Sequence, residues 1–514
     1  MSRPPAPEAT LRRLTFFLGS FALAVVLAAH HICDGDLWGK LAIGAHFWHF
    51  GTVPDHDTFA FTPVLPHYIE HEWGAGAIFF GVLKFFGPAG LMLLKILLAF
   101  GALLAALAVG RKNNCAWEAL LLLAIPVAWC ELLGYIPVIR SHAFTYCFFA
   151  VTLLGLEEIR AGKKWPLFLL PPLFLVWSNV HGGFVAGLCT IGVYSVFALF
   201  TRRHFKCFLL AGLLCSAVTL INIYGLKFWA YLIPALLNKR PGIAEWQPLP
   251  LFADDIFNSF RLLFFLVVFA LLFGWRHVRE KNWPGLVMLI ITASLAWRSR
   301  RHAPFFGVAA LAFAGPYLQA LLGRLPLRVQ SRFQPALSVT ALYGAIAIFV
   351  AIEFLPQASF DVLAPVGHDP VREVDILSRA GAEGNLATPF GWGCYCSWRL
   401  NPRIKISMDG RYETTYPEST YELNSRFYEK RGPGWDQLIR DYPVDYVILE
   451  YTEEALRPPD LIACGYILIW ETAGHSALLV LPKYAEKFKE VAADLPPTTI
   501  NPLDAKIPDA WWPR

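Results

Sequence analysis

The sequence predicts a polytopic α-helical membrane protein with about eleven transmembrane helices and an α/β domain outside the membrane at its C-terminal end. Three observations support this fold class. Hydrophobic residues make up 56% of the 514 residues and charged residues only 16%, at a mean hydropathy of +0.46. Long apolar blocks recur up to residue 354, and basic residues fall at alternate connections between them. Soluble globular proteins rarely combine these features.

A helix that crosses the hydrocarbon core needs about 20 apolar residues. Eleven segments approach this requirement, and we predict spans at 14–31, 89–110, 116–133, 142–158, 166–180, 183–200, 207–223, 260–275, 283–297, 304–322 and 336–354. The first segment follows Arg12 and Arg13, and positive charges before an apolar segment are also typical of a signal peptide. The further apolar blocks favour an uncleaved anchor instead.

Positive charges orient these spans, because cytoplasmic connections carry an excess of Lys and Arg. With eleven spans and a cytoplasmic N-terminus, six basic connections fall on one side, and they begin at Arg12, Arg111, Arg160, Arg202, Arg276 and Arg324. The same count requires segment 74–87 to be a helix in the membrane interface rather than a span. Loop 32–88, loop 224–259 and everything after about 355 then lie outside the cytoplasm.

The C-terminal part is more polar and predicts a small α/β domain at 355–490, followed by a proline-rich tail at 491–514. "VREVDILSRAG" (371–381) predicts a helix that ends at a glycine. "DYVILE" (445–450) predicts a strand, and "GYILIWETAGHSALLVL" (465–481) predicts a hairpin that turns between Thr472 and His475. Residues 1–354 form the predicted transmembrane domain, with 32–88 as its first outer loop.

Charge and cysteine content exclude two classes of protein. The net charge is +5 and no Lys/Arg run resembles a nucleic-acid arm, so no nucleic-acid partner is expected. The ten cysteines lie mostly within apolar blocks and form no CxxC pair. This distribution is typical of small core residues, not of a metal site or a disulfide framework.

Acidic side chains are concentrated just after the first span. Asp34 and Asp36 follow it directly, and Asp57 and Glu72 lie further along the same loop. A carboxylate at headgroup height can act as a general base, or hold a divalent cation, Mg²⁺ or Mn²⁺, that neutralises a phosphate leaving group. The alternative is a polar loop in which aspartates cap helices and form turns.

Apolar residues in the same loop recur at helical spacing. Trp38, Leu41, Ala45 and Trp48 share one face of a helix, and we expect this face to rest on the membrane surface. This placement would hold Asp36 near the lipid headgroups.

A basic cluster lies on the predicted outer side, against the general charge bias. Arg298, Arg300 and Arg301 stand in "AWRSRRHAPFF" (296–306), and Arg140 is predicted at the same level. Arginine holds phosphate bidentately, so the cluster predicts a phosphate or pyrophosphate site. Contact with anionic lipid headgroups and pairing with the acidic loop are the alternatives.

Two further outer segments carry residues suited to sugar binding. Asn179 and His181 lie at a glycine turn in "WSNVHGG" (177–183), where they either orient a sugar or satisfy the turn backbone. Glu245 and Trp246 offer a carboxylate beside an aromatic ring, which is a common sugar-stacking pair.

Lys95 and Glu131 lie within or at the ends of predicted spans. Ionisable residues in such positions are expected to face the interior of the helix bundle and are functional candidates.

Taken together, several of these features resemble the GT-C glycosyltransferase superfamily, which includes protein O-mannosyltransferases and the catalytic subunit of oligosaccharyltransferase. The shared features are an Asp-x-Trp after the first span, a long first outer loop, and outer arginines late in the bundle. The similarity is closer to bacterial GT-C-like membrane proteins of unassigned substrate, and it rests on "DGDLWGKLAIGAHFWHFGTVPDHDTFAFT", "EWGAGAIFFGVLKFFG", "WSNVHGGF", "INIYGLKFW", "AEWQPLP" and "PFGWGCYCSWRLNPRIKISMDGRYETTY".

The resemblance implies an enzyme of the bacterial cytoplasmic membrane. It would move a sugar from a polyprenyl phosphate or diphosphate donor on the outer leaflet to a glycan, lipid or protein acceptor. The acidic residue of such enzymes maps to Asp36, with Asp34 beside it, and the donor-phosphate arginines map to Arg298, Arg300 or Arg301. The chain has no second DxD in a later loop and no WWD-like motif, which argues against peptide N-glycosylation and against a required metal ion.

Two other functions stay open on the sequence alone. A transporter of lipid-linked saccharide would use the outer arginines without a catalytic aspartate, although the chain shows no inverted repeat. A non-catalytic GT-C-like protein of envelope assembly would keep the fold without the activity. The sequence favours the glycosyltransferase.

Overall fold

The computed structural model describes residues 6–33, 35–66, 68–136, 138–237, 244–250, 252, 258–323, 335–365, 368–451, 454–495 and 500–502. The chain divides into two compact units. The first unit comprises 1–31 and 92–360, and the second comprises 32–91 and 361–514. The predicted domain boundaries at 354 and 490 stay predictions.

Helices account for most of the described chain up to residue 353. In chain order they are α1 (Ala6–Ala29), α2 (Gly35–Phe50), α3 (Trp73–Lys112), α4 (Trp117–Leu132), α5 (His142–Arg160), α6 (Pro166–Val180), α7 (Phe184–Thr201), α8 (Phe205–Val218), α9 (Leu226–Leu237), α10 (Asn258–Gly274), α11 (Trp283–Arg298), α12 (Ala303–Phe313), α13 (Gly315–Leu322) and α14 (Pro335–Glu353). Each of the eleven predicted spans falls on one of these helices, the tenth on α12 and α13 together.

Five helices in the described part of the chain are long and apolar enough to cross a membrane. They are α1, α3, α7, α10 with the turn that follows it, and α14; α12 and α13 make a sixth if this pair, bent by 56°, is one span. Helices α6, α8 and α11 are apolar but shorter. The structure is therefore that of a multi-pass helical membrane protein, and the number eleven stays a prediction.

Small residues allow helices of the first unit to approach closely. A Cβ atom added at Gly19 of α1 would lie 2.6 Å from the ring of Tyr343 in α14, and one at Gly274 would lie 2.4 Å from the carbonyl oxygen of Tyr317. The hydroxyl groups of Thr15 and Thr340 hydrogen-bond across α1 and α14 at 2.8 Å. Glycines thus make room for a tyrosine ring and for a neighbouring backbone at these helix contacts.

The two ionisable residues predicted to face the bundle interior are both buried. Lys95 donates to the carbonyl oxygens of Leu27 (3.0 Å) and His30 (2.7 Å) at the C-terminal end of α1. A cation at that end of a helix is favoured by the helix dipole. Neither carboxylate oxygen of Glu131 has a hydrogen-bond partner among the described residues.

Helix α3 is broken near the point where the predicted interface helix meets the following span. Gly87 has φ +65° and ψ −168°, a conformation that glycine adopts without steric strain, and Pro88 follows it. The predicted end of segment 74–87 is therefore confirmed. Phe85 and Phe86, just before the break, are largely exposed, but their placement in the membrane interface stays a prediction.

The second unit contains a five-stranded mixed sheet in the order β3-β2-β4-β6-β5 and a separate antiparallel pair of β1 with β7. The strands are β1 (Leu363–Pro365), β2 (Gly384–Ala387), β3 (Ile404–Ile406), β4 (Tyr446–Glu450), β5 (Ile467–Thr472), β6 (Ser476–Val480) and β7 (Ile500–Pro502). Strand β2 is parallel to β3 and β4, whereas β6 is antiparallel to β4 and β5. The predicted strand 445–450 and the predicted hairpin are both confirmed.

Six helices complete the C-terminal part of this unit. They are α15 (Val371–Arg379), α16 (Gly393–Leu400), α17 (Glu418–Tyr428), α18 (Gln437–Asp441), α19 (Pro458–Ala463) and α20 (Ala485–Ala493). Helix α15 ends two residues before Gly381, which has φ +60°, as predicted. Val447 and Leu449 alternate along β4 and pack with Phe427 and Leu438 in one hydrophobic core.

The first outer loop is part of the same unit and runs beside β3. The backbone N–H of Phe61 donates to Ile406 O (3.0 Å), and the N–H of Ile406 donates to Phe59 O (2.9 Å). Further along, the N–H of Leu65 donates to Thr415 O at 2.8 Å. Main-chain hydrogen bonds of this kind extend a sheet at its edge.

We expected the apolar face of helix α2 to rest on a membrane surface, but most of this face is covered by protein. Trp38, Leu41 and Ala45 are almost fully buried within the protein, whereas Trp48 is 40% exposed. The ring of Trp38 meets that of Tyr395 in α16 edge-on, with centroids 5.1 Å apart. The expectation was wrong for these three buried residues because an apolar helix face has the same periodicity whether lipid or protein covers it.

The predicted orientation can be tested by cysteine labelling. In a chain with Cys189 and Cys464 replaced by serine, a membrane-impermeant maleimide added from outside should label His56→Cys and Arg431→Cys but not Lys164→Cys. All three positions are exposed, so accessibility to water is matched. Labelling of Lys164→Cys in sealed cells would contradict the assignment of the basic connections to the cytoplasm.

Candidate functional site

The predicted site residues are distributed over both units. In the first unit the structure brings together Arg140, His181, Glu245, Trp246 and Arg301, here called the arginine–histidine cluster. The connections before α5, before α7 and before α12, together with a turn at Ala244–Trp246, supply these side chains. They come from four stretches of sequence that were predicted independently.

Backbone hydrogen bonds fix the turn that carries Glu245 and Trp246. The N–H of Leu249 donates to Trp297 O (3.1 Å), and the N–H of Arg300 donates to Gln247 O (3.2 Å). The hydroxyl of Ser299 also donates to the carbonyl oxygen of Glu245 at 3.3 Å. The connection between α11 and α12 therefore holds Glu245 beside the arginines.

Glu245 is shared by two arginines. Arg140 approaches it with both terminal nitrogens, at 3.0 and 3.4 Å, and Arg301 Nη1 lies 3.5 Å from the same carboxylate. The guanidinium of Arg301 also lies 5.1 Å from the ring centroid of Trp246. The side chains of the ion pair are 20–27% exposed. Two cations facing one carboxylate leave the cluster with excess positive charge.

The hydrogen bonds of His181 identify which ring nitrogen carries the proton. The backbone N–H of Gly183 donates to Nδ1 at 2.9 Å, and the hydroxyl of Thr145 lies 2.8 Å from the same atom. That hydroxyl accepts a hydrogen bond from the indole N–H of Trp177 at 2.8 Å, which directs its own proton to His181. Nδ1 is thus an acceptor, and the neutral ring carries its proton on Nε2.

Two donors therefore lie side by side within the cluster. His181 Nε2 lies 3.2 Å from Arg301 Nη2, and a guanidinium nitrogen has no lone pair to accept with. With the His181 proton on Nε2, these two groups do not hydrogen-bond to each other, and an oxygen that bridges them would accept from both. The arrangement suits an anionic oxygen.

Three other predicted residues of this unit have different surroundings. Asn179 donates to Leu175 O of its own helix at 2.8 Å. Arg298 is exposed at the end of α11, and Arg300 is half-buried. Among the four predicted arginines, Arg301 and Arg140 both contact Glu245.

In the second unit, Asp36 lies in the first turn of α2 and is exposed. A Cβ atom added at Gly35 would lie 3.1 Å from Gly391 O, and one at Gly39 would lie 3.0 Å from Cys394 Sγ. Burial raises the pKa of the Cys394 thiol, and the nearby carboxylates of Asp409 and Asp36 raise it further. Glycines on α2 therefore let its N-terminal part pack directly against the start of α16 and the residue Gly391 before it. Asp34 lies outside the described residues.

Asp57 is buried in an ion pair. Its carboxylate accepts from the N–H groups of Phe59 (3.1 Å) and Ala60 (2.7 Å) and from Arg411. The Arg411 guanidinium also contacts Asp409 at 2.8–2.9 Å. Burial opposes the charged form of Arg411, but Asp409 and Asp57 outweigh it and raise the Arg411 pKa. The contacts of Asp57 with the N–H groups of Phe59 and Ala60 are those of a turn residue, as the alternative interpretation of the loop predicts. Its ion pair with Arg411 also connects the loop to the C-terminal region.

Glu72 belongs to a second buried network. Lys40 Nζ lies 2.7 Å from Glu70 and 3.0 Å from Glu72. Burial alone would lower the pKa of Lys40, but the two carboxylates outweigh it and raise that pKa. Burial likewise raises the pKa of Glu70, and the charge of Lys40 more than offsets this and lowers it. The network is therefore ionic.

Metal ligands are not grouped in the described part of the chain. No set of three or more His, Cys, Asp or Glu side chains there is arranged to hold a metal ion. A divalent cation at Asp36 accordingly stays a prediction, and the proposed glycosyl transfer does not depend on one.

No family model and no curated protein matches this chain. Among solved structures, the cryo-EM structure of the arabinofuranosyltransferase AftD from Mycobacteria is similar, with a TM-score of 0.56 at 13% sequence identity. The match covers 91% of this chain, which spans only 40% of the length of AftD. The chain therefore shares its fold with this arabinofuranosyltransferase, which supports the GT-C-like fold predicted from the sequence.

Proposed function

We propose that this protein is a GT-C-type glycosyltransferase that moves a sugar from a polyprenyl phosphate or diphosphate donor to an acceptor at the outer face of the cytoplasmic membrane. One observation carries the proposal within this fold. Arg301 Nη2 lies 3.2 Å from His181 Nε2, and Arg140 shares the Glu245 carboxylate with Arg301, so that two guanidinium groups and an imidazole lie together. Such a group of donors suits a phosphate oxygen.

The cluster would hold the phosphate of the donor. One phosphate oxygen accepts from both Arg301 and His181, and Arg140 adds a second positive charge. Glu245 orients both arginines and offsets part of their charge. Arg298 and Arg300 lie just before Arg301 in the sequence and are further candidates for binding a diphosphate. Trp246 and Asn179 would contact the sugar or the acceptor.

Asp36 would act on the acceptor. As the acceptor hydroxyl attacks the anomeric carbon, Asp36 takes up its proton, with Asp34 as its neighbour. The bond between that carbon and the phosphate oxygen breaks, and its electron pair leaves with the phosphate. The charge that develops on the leaving phosphate is stabilised by the arginines. The lipid tail keeps the reacting carbon at headgroup height.

Replacing Arg301 by lysine tests the phosphate assignment. Lysine keeps the positive charge but cannot form the planar fork. Loss of one charged hydrogen bond costs about 1.5–3 kcal/mol, so binding of a polyprenyl phosphate to the purified chain should weaken roughly 10–150-fold. Titration with a fluorescent polyprenyl phosphate measures this.

The matched control is Arg276→Lys, an exposed arginine in a basic connection at the other end of the bundle. Its affinity for the polyprenyl phosphate should stay at the parental value. The proposal fails if Arg301→Lys and Arg301→Ala both bind like the parent, or if uncharged polyprenol binds as tightly as the phosphate.

A further inference from the structure

A second basic cavity lies in the first unit, away from the arginine–histidine cluster. Its volume is about 450 Å³, and it lies at the ends of α3, α5, α7, α8 and α11. Its charged lining consists of Lys112, Glu157, Arg160, Arg203, His204 and Lys281. Thr145, which contacts His181 of the cluster, and Glu157 of the cavity are both on α5, twelve residues or ~18 Å apart along the helix.

The floor of the cavity is a fixed polar network around Glu157. Its carboxylate accepts from the hydroxyl of Tyr194 at 2.7 Å and from the side-chain amide of Asn282 at 2.9 Å. Arg160 donates to the other oxygen with two nitrogens, at 2.9 and 2.7 Å. Glu157 is therefore committed to neighbours inside the protein, and its charge is balanced by Arg160.

The cavity lining has more positively charged side chains than nearby carboxylates can neutralise. Lys112, Arg203 and Lys281 add three positive charges to the lining, and of these Lys112 pairs with Glu158 at 2.7 Å. Lys281 donates to the carbonyl oxygen of Val278 and lies 4.8 Å from the ring centroid of Trp275. At least two positive charges therefore remain for a bound anion.

The connection between α7 and α8 presents Arg203 to the cavity in an uncommon backbone conformation. Arg202 has φ +55° and His204 has φ +54°, so two non-glycine residues flanking Arg203 are left-handed. Such residues carry steric strain and occur where a local shape is needed for function. Here they turn an exposed arginine and an exposed histidine toward the same opening.

Large apolar side chains surround the opening. Trp283 lines the cavity and is half exposed, and Phe200 on α7 is 80% exposed. Indole rings are enriched at the level of lipid headgroups. A phosphate group that enters this cavity would thus have a path for acyl chains beside it, which favours a lipid over a free anion.

We propose that this cavity binds the headgroup of an anionic phospholipid of the cytoplasmic leaflet. Its phosphate diester would lie between Arg203 and Lys281, with the glycerol against the polar floor. Four connections predicted to be cytoplasmic meet here, and basic pockets between membrane helices on that side are suited to anionic headgroups. The proposal is independent of the glycosyltransferase activity, because the two sites share no residue.

Native mass spectrometry of the detergent-purified full chain tests this site. Palmitoyl-oleoyl phosphatidylglycerol should bind at least about tenfold more tightly than the phosphatidylcholine with the same chains. The double variant Arg203→Gln/Lys281→Gln should bind both lipids equally weakly. The control Arg202→Gln/Lys206→Gln removes two exposed charges from outside the cavity lining and should keep the parental preference.

Three outcomes would overturn the proposal. One is equal affinity of the parent chain for the two lipids. A second is an equal loss in the control variant, which would indicate diffuse attraction to charge. The third is displacement of the lipid by free glycerol 1-phosphate at a similar concentration, which would assign the cavity to a soluble phosphate. A melting temperature measured for each variant shows whether the fold is retained.

Discussion

Asp36→Asn is expected to suppress glycosyl transfer by about 10²–10⁴-fold, the usual effect of removing a general base. Asparagine keeps the shape of the side chain but cannot take up a proton. Because Asp36 is exposed in the first turn of α2, its replacement should leave folding intact. Binding of the polyprenyl donor should also persist, since the arginine–histidine cluster is unchanged. Turnover of a lipid-linked sugar by the purified chain is the measurement.

Asp55→Asn provides the matched control, because Asp55 is an exposed carboxylate of the same loop. This variant should transfer sugar at the parental rate. Asp34→Asn should lower the rate less than Asp36→Asn does. If Asp36→Asn protein binds donor and transfers sugar like the parent, Asp36 is only a residue of a helix terminus, and the transporter or assembly function becomes the better account.

Arg411→Ala should be the most destabilising single change in the second unit. It would leave Asp57 and Asp409, whose side chains are 1% exposed, without their cation. Breaking a buried ion pair from one side typically costs 3–5 kcal/mol. Hydrogen exchange of the Phe61 and Ile406 amides, which pair the loop with β3, should speed up on the order of 10²–10⁴-fold, since each ~1.4 kcal/mol is a factor of ten.

Arg431→Ala is the comparison, because Arg431 pairs with Glu429 at the surface, where ion pairs contribute about 0–1 kcal/mol. Its exchange rates should hardly change. Adding Asp57→Asn and Asp409→Asn to Arg411→Ala should recover part of the protection, because the uncompensated charges are then gone. Equal exchange in the Arg411→Ala and Arg431→Ala chains would show that the buried pair does not hold the loop.

Local sequence patterns predicted most of the secondary structure. The apolar blocks became helices, and the alternation around Thr472 to His475 became the β5–β6 hairpin, because these signals depend only on neighbouring residues. The face of α2 that contains Trp38 was misassigned for a different reason. Periodicity shows that a face is apolar, but not whether lipid or protein covers it. The residue that packs on Trp38 lies in α16, more than 350 positions later in the chain.

For the candidate sites, too, contacts between residues far apart in the sequence could not be predicted. Arg140, His181, Glu245 and Arg301 each stood out because polar residues flank apolar segments there, and the structure brings them together. Arg411, however, carries no local signal for its pairing with Asp57, which lies 354 positions earlier in the chain. An isolated arginine in a polar domain is ordinary, and only the three-dimensional structure reveals that it is buried between two carboxylates.

The distance in sequence between Asp57 and Arg411 has a consequence for biogenesis. A ribosome that adds about 5–20 residues per second needs roughly 20–70 s to make the intervening 354 residues. During that time the nascent loop has neither its β3 neighbour nor its cation, and Asp57 stays hydrated. In the predicted topology, the loop crosses the membrane early and waits unfolded for its partner. Translocation chaperones and proteases meet it in that interval, so a chain truncated before residue 404 should be degraded even if its helices insert correctly.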